Sequence, residues 1–296
     1  MARIVVLGAG GRLGAALARE YAADHDVLAW GRKEADLSDP ERVAAQVREA
    51  KPDIVINCAA MTNVDECETE RDKARVINAD AAGAMARACE DVGAKMIHIS
   101  TDYVFSGEKT EPYAEDDQAE PVSWYGETKL AGEDAVLAGG TRHAVVRVSW
   151  VFGPDRDSFV DKALQTAMRG EPVKAVADKW SSPAYTLDIA EALRGLMGSD
   201  AAGGIYHVCN AGTCTWRDWG AEAIRVAEVA GLMPTGTKVE PLCLSDIKAM
   251  VARRPLHSAM TCQRIEKLIG KPIRSWQEAV ADYVGARYAK GGPETL

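Results

Sequence analysis

The chain has 296 residues, 47% hydrophobic and 27% charged, with a net charge of −9. That length admits one large domain or two smaller ones sharing a core. No apolar run approaches the ~20 residues needed to span a bilayer, no basic block suits nucleic acid, and seven cysteines without a Cys-x-x-Cys pair support neither a disulfide framework nor a zinc site.

Met1–Leu7 runs straight into glycines, so it reads as a strand rather than a signal peptide, and a cytoplasmic protein is expected. The first half then alternates short apolar runs with helical patterns. Strands are predicted at 3–8, 26–30, 53–58, 95–100 and 144–149. Helices are predicted at 12–23, 39–50 (with Pro40 in its first turn), 68–92 and 123–138. His98 falls inside the fourth strand and reads as a core histidine. Apolar strands alternating with helices predict an α/β fold, a Rossmann-type doubly wound parallel sheet with its site at the strand C-termini.

After Trp150 the pattern is less regular. Helices are predicted at 159–169, 187–197, 215–230 and 275–289, the last two opening on capping-box spacings, and strands at 173–177 and 204–209. The expected division is a dinucleotide-binding unit over 1–149, with segments of about 173–206 returning to it. Residues 150–172 and 207–290 are expected to form a smaller α/β lid, and 291–296 a disordered tail.

Gly8-Ala9-Gly10-Gly11-Arg12-Leu13-Gly14 follows the first strand and opens the first helix. Glycines there allow a tight turn and close approach of a pyrophosphate to unpaired helix N–H groups. At the end of the second strand, where an acid would bind a ribose 2′-hydroxyl, the chain has Trp30-Gly31-Arg32-Lys33. The missing acid and the adjacent cations favour NADPH over NADH, with Arg32 on the 2′-phosphate. Asp36 and Leu37 follow and are expected to pack against the adenine, and the small residues Ala59 and Ala60 leave room for a cofactor.

Tyr125-Gly126-Glu127-Thr128-Lys129 supplies the chemistry. A lysine four residues along a helix shares a face with the tyrosine, and its charge is expected to lower the phenol pKa. Tyr125 is then a proton donor, Lys129 its partner and a ligand of the nicotinamide ribose, and Thr101 a hydroxyl for the carbonyl.

Six segments together carry a resemblance over nearly the whole chain. They are Gly8–Gly14, Asp36–Asp39, Asn57–Asp65, Ser100–Gly107, Tyr125–Lys129 and Arg147–Gly153. The chain resembles the extended short-chain dehydrogenase/reductase superfamily and, within it, the dTDP-4-dehydrorhamnose reductase family. The resemblance implies NADPH-dependent reduction of the C4 keto group of dTDP-4-dehydrorhamnose. It places Gly11, Arg12, Leu13, Asp36, Leu37, Ala60, Met61 and Thr62 on the cofactor, and Thr101, Asp102 and Trp150 on the sugar. Arg254 is expected on the diphosphate or as a loop anchor.

The family often has Gln where Arg12 stands, and its Asp-Gln-x-Gly-x-Pro-Thr pattern appears here as Asp178-Lys179-Trp180-Ser181-Ser182-Pro183-Ala184. Another nucleotide-linked 4-keto-6-deoxy sugar therefore stays open as substrate. So does a non-catalytic role like that of the regulatory subunit of methionine adenosyltransferase, and so does a homodimer. No carboxylate cluster for a metal stands out.

Overall fold

The apolar runs of the first half become strands of one sheet in the computed structural model, which describes residues 1–198 and 203–288. In chain order the elements are β1 (Arg3–Leu7), α1 (Arg12–Tyr21), β2 (Asp26–Trp30), α2 (Pro40–Ala50), β3 (Ile54–Asn57), α3 (Val64–Thr69), α4 (Arg71–Arg75), α5 (Ala81–Val92), β4 (Lys95–Thr101), α6 (Trp124–Gly139) and β5 (Ala144–Val148). There follow β6 (Val151–Phe152), α7 (Phe159–Met168), β7 (Val173–Val176), β8 (Trp180–Ser181), β9 (Ala184–Tyr185), α8 (Thr186–Met197), β10 (Gly204–His207), β11 (Cys214–Thr215), α9 (Trp216–Val229), β12 (Val239–Leu242), α10 (Gln263–Ile269) and α11 (Trp276–Tyr288).

The sheet has the order β2-β1-β3-β4-β5-β10, and every pairing in it is parallel. Leu7 is in register with Trp30 on one side and Asn57 on the other, so the chain leaves β1, β2 and β3 at one edge. Winding reverses between β1 and β3, which opens a crevice at that edge. β3 and β5 are buried along their whole length, as strands covered on both faces must be.

Residues 68–92, read as one helix, are broken. Glu70 leaves helical geometry between α3 and α4, and Val76–Asp80 form a π-helical turn before α5. The extra residue in that turn aims Asn78 inward, a feature that apolar periodicity does not reveal. Gly132 of α6 passes so close that a Cβ there would sit 2.2 Å from the Asn78 carbonyl oxygen.

The second core is formed by α7, α9 and α11 with three small strand pairs, β7–β12, β8–β11 and β6–β9. Phe152, Leu164, Trp219, Ile224, Val280 and Tyr283 fill it. The return to the main sheet does not begin at about 173, because β7 pairs with β12 and buries Val173 and Ala175 in this core. It begins with α8, which lies on α1; Tyr21 there donates to the Ala190 carbonyl at 2.8 Å. Nor does 207–290 belong wholly to the lid: β10 extends through His207, and Met260, Cys262, Ile265 and Ile273 pack into the sheet's core. The 291–296 tail lies outside the described residues.

Candidate active site

The strand C-termini border one cleft of about 940 Å³. Gly8, Gly11, Arg12, Leu13, Gly14, Arg32, Asp36, Leu37, Ala59, Ala60, Met61 and Thr62 line one end of it. Thr101, Asp102, Tyr125, Lys129 and Trp150 line the other. Of the residues singled out in the sequence, Arg254 is absent from this wall.

The glycine turn fits a dinucleotide. Gly8 has φ 74°, and a Cβ on it would meet the Ala59 nitrogen at 2.8 Å. A Cβ on Gly14 would lie 2.2 Å from the Gly8 carbonyl oxygen, whereas Gly10 has nothing within 4 Å. The N-cap of α1 is Gly11, with no side chain spent on the helix N–H groups, so these stay available to an anion. Gly14→Ala should therefore weaken NADPH binding by at least about tenfold, a loss of ~1.4 kcal/mol, while Gly10→Ala should bind as the parent does. Fluorescence titration of the two variants checks the contrast.

Arg12 lines the cleft with its guanidinium engaged by the protein itself. Its guanidinium donates to the carbonyls of Val151 at 3.1 Å, Arg156 at 3.0 Å and Asp157, tying α1 to the loop after β6. At the end of β2, Arg32 sits 3.7 Å from Asp36 and is largely exposed. An acid does stand nearby, three residues after Gly31. Glu34 Oε2 accepts from the Gly31 N–H at 2.8 Å, because the turn folds its side chain back onto the strand end.

At the other end, Tyr125 is buried in the first turn of α6, with Tyr103 edge-on at 5.6 Å. Ser123 caps that helix, accepting from the Gly126 N–H at 3.3 Å. Burial raises the Tyr125 phenol above its ordinary value, and a hydrogen bond with Thr101 opposes it. The expected lowering by Lys129 is not found, because the Lys129 Nζ is turned into the sheet: it donates to the Ile99 carbonyl at 2.8 Å and lies 3.2 Å from His98 Nε2. Burial brings Lys129 itself down to about 8, with Glu133 pulling the other way.

Thr101 Oγ1 donates to Asp102 Oδ1 at 3.1 Å and accepts from the Tyr103 N–H at 3.2 Å. Asp102 borders the cleft, but Oδ2 of its carboxylate is taken by the hydroxyls of Ser258 (2.6 Å) and Ser181 (3.1 Å). These bonds anchor the lid to the sheet. Lys179 is fully buried and donates to the Pro255 carbonyl at 2.6 Å. Arg254 forks onto Asp65, at 2.6 Å and 3.2 Å, while Asp65 also accepts from the Val251 and Ala252 N–H groups. The pair holds the loop of residues 251–254 to α3.

Trp150 has φ 41°, a left-handed conformation that costs a bulky residue about 1–3 kcal/mol. It is held there by ring contacts with Trp219 (5.7 Å, stacked) and Trp216 (5.8 Å). The strain sets an indole on the cleft wall at the junction of sheet and lid.

The family model described as RmlD substrate binding domain matches residues 2–288. The chain belongs to the RmlD family. The dTDP-4-dehydrorhamnose reductase of Mycolicibacterium smegmatis is 41% identical over 96% of this chain and 85% of its own. The spore coat polysaccharide biosynthesis protein SpsK of Bacillus subtilis is 36% identical over 97% of this chain and 98% of its own. The solved dTDP-4-dehydrorhamnose reductase of Bacillus anthracis, in complex with NADP, superposes with a TM-score of 0.87. Its identity is 33%, and the match covers 95% of this chain and 98% of that one.

Asn78, Arg156 and Glu34, in or beside the site of this RmlD-family chain, were not singled out in the sequence. Asn78 accepts from the Met61 N–H at 2.8 Å and donates to the Met61 carbonyl and Thr128 Oγ1, each at 3.1 Å, fastening the cofactor wall to α6. An asparagine inside an alanine-rich helical stretch was the available signal. Arg156 lines the cleft from a loop whose register no periodicity fixes. Glu34 was legible as Gly-x-x-Glu at a strand end. Among the described residues no cluster of three His, Cys, Asp or Glu could hold a metal, and no helix is long and apolar enough to cross a membrane.

Proposed function

We propose that this chain reduces the C4 keto group of dTDP-4-dehydrorhamnose, giving dTDP-L-rhamnose, with NADPH as its cofactor in the cytoplasm. The observation that carries the reading is that Thr101, Tyr125 and Lys129 border the same cleft as the glycine turn. When bound, NADPH supplies the hydride. The α1 N–H groups would hold the phosphates, and Gly8 and Gly14 let the turn pack against Ala59 and the Gly8 carbonyl, where a Cβ would clash. Tyr125 gives its phenolic proton to the sugar oxygen. Thr101, fixed by Asp102, orients the Tyr125 hydroxyl. Lys129 borders the cleft beside Tyr125, its Nζ held on β4 by the Ile99 carbonyl and His98. Trp150 offers an aromatic wall to the apolar face of the deoxysugar.

An intact proton donor and partner favour turnover over a binding-only role. Loss of NADPH absorbance with dTDP-4-dehydrorhamnose, compared across a panel of other nucleotide-linked 4-keto-6-deoxy sugars, tests the assignment. The rhamnose precursor should give the highest kcat/KM, and no oxidation with any sugar would overturn catalysis. Glu34 sets a negative charge at the end of β2 beside Arg32, which would oppose a 2′-phosphate held by Arg32. Glu34→Gln should raise the NADPH-to-NADH preference about fivefold to tenfold, roughly 1–1.4 kcal/mol, read from kcat/KM for the two cofactors.

A further inference from the structure

Both hydrogen-bond partners of the Lys129 Nζ among the described residues lie on β4, and they belong to a longer chain. His98 is buried next to Asn57, its register partner on β3. Asn57 Nδ2 lies 3.1 Å from His98 Nδ1, and the Ala59 N–H donates to Asn57 Oδ1 at 3.0 Å. Ala59 is part of the cleft wall.

A backbone N–H can only donate, so Ala59 fixes the direction of every bond behind it. Asn57 shows its oxygen to Ala59 and its NH₂ to His98. His98 Nδ1 must then accept, and the proton of the neutral imidazole sits on Nε2. That Nε2–H faces the Lys129 Nζ at 3.2 Å. An ammonium has no lone pair to receive it. The directions agree when Lys129 is the neutral amine, accepting from His98 and donating one N–H to the Ile99 carbonyl. An ammonium at Lys129 requires a lone pair on Nε2, hence a proton on Nδ1. Asn57 must then turn over, and Ala59 loses its acceptor.

We propose that His98 and Asn57 are positioning residues that couple the charge of Lys129 to the tautomer of His98 and to the cleft wall at Ala59. The proposal rests on Lys129 being the partner of Tyr125. The groups facing Lys129 agree with it. His98 on β4 is driven by burial well below its ordinary value and stays neutral. The Cys58 thiol at the end of β3 is pushed up to about 12 by burial. Glu133, one turn along α6, favours the charge, but its carboxylate is already bound by Arg147 and Ser100. Lys129 therefore carries its proton below about 8 and loses it above, so activity that needs the ammonium is present at lower pH and falls as pH rises through that value.

The test is the pH dependence of kcat and kcat/KM for the parent and for His98→Gln. Glutamine can offer Lys129 an oxygen without a tautomer constraint, so the alkaline limb should move up by about one pH unit or more, with kcat affected more than KM for NADPH. Superimposable profiles overturn the coupling. Tyr125→Phe and Lys129→Met serve as separate controls: if they keep full turnover, the catalytic reading fails instead. Nitrogen-15 NMR of the imidazoles in the parent protein gives a decision even if His98→Gln does not fold. His98 should be Nε2–H at about pH 10 and Nδ1–H at about pH 6, and one tautomer at both ends overturns the proposal.

Discussion

Tyr125→Phe should lower kcat and kcat/KM together by about 10²–10⁴-fold, the usual worth of a positioned general acid. NADPH affinity should be unchanged. The two effects separate because of how the residue is built in. The ring is buried and packs edge-on against Tyr103, contacts that phenylalanine keeps. Lys129 takes its hydrogen bonds from β4 and not from the phenol, so its position does not depend on the hydroxyl. What disappears is the proton at the end of the cleft. Stopped-flow single turnover with a cofactor titration reads both quantities. A variant that lost cofactor binding in proportion to turnover would show Tyr125 to be a structural prop.

Arg147→Met should destabilise the fold by about 3–5 kcal/mol in urea denaturation, the cost of stranding a buried charge. Arg147 and Glu133 are both buried, and the guanidinium forks onto the carboxylate at 2.6 Å, 3.0 Å and 3.1 Å. Ser100 donates to the same carboxylate at 2.5 Å, and Phe105 lies 5.0 Å beneath the guanidinium. The pair fastens α6, which carries Tyr125 and Lys129, to β4 and β5. Replacing both members with methionine should recover most of the loss, since a buried ion pair gains little over apolar packing of like volume. Equal destabilisation by the single and double variants would contradict this.

The parts of the site that follow from local rules were readable in advance. The glycine turn, the strand ends at Cys58 and Thr101, and the tyrosine–lysine spacing each depend on a few neighbouring residues, and all meet in one cleft. What could not be read depends on contacts distant in the chain. Arg12 finds three carbonyls about 140 residues away and Arg254 finds Asp65. Asp102 is claimed by two lid serines. Each of these charged side chains has partners that the local motif does not contain, so its place in the fold is not legible from the motif. The break in 68–92 is of the same kind. Helical propensity runs unbroken through it, while packing against α6 selects the π-turn that aims Asn78.

Reduction with NADPH carrying deuterium at the transferable C4 position, followed by NMR of the sugar nucleotide, tests the central claim most directly. The account predicts dTDP-L-rhamnose with one deuterium at C4 of the sugar in each turnover. Product without deuterium at that carbon, or no product from dTDP-4-dehydrorhamnose at all, would contradict it.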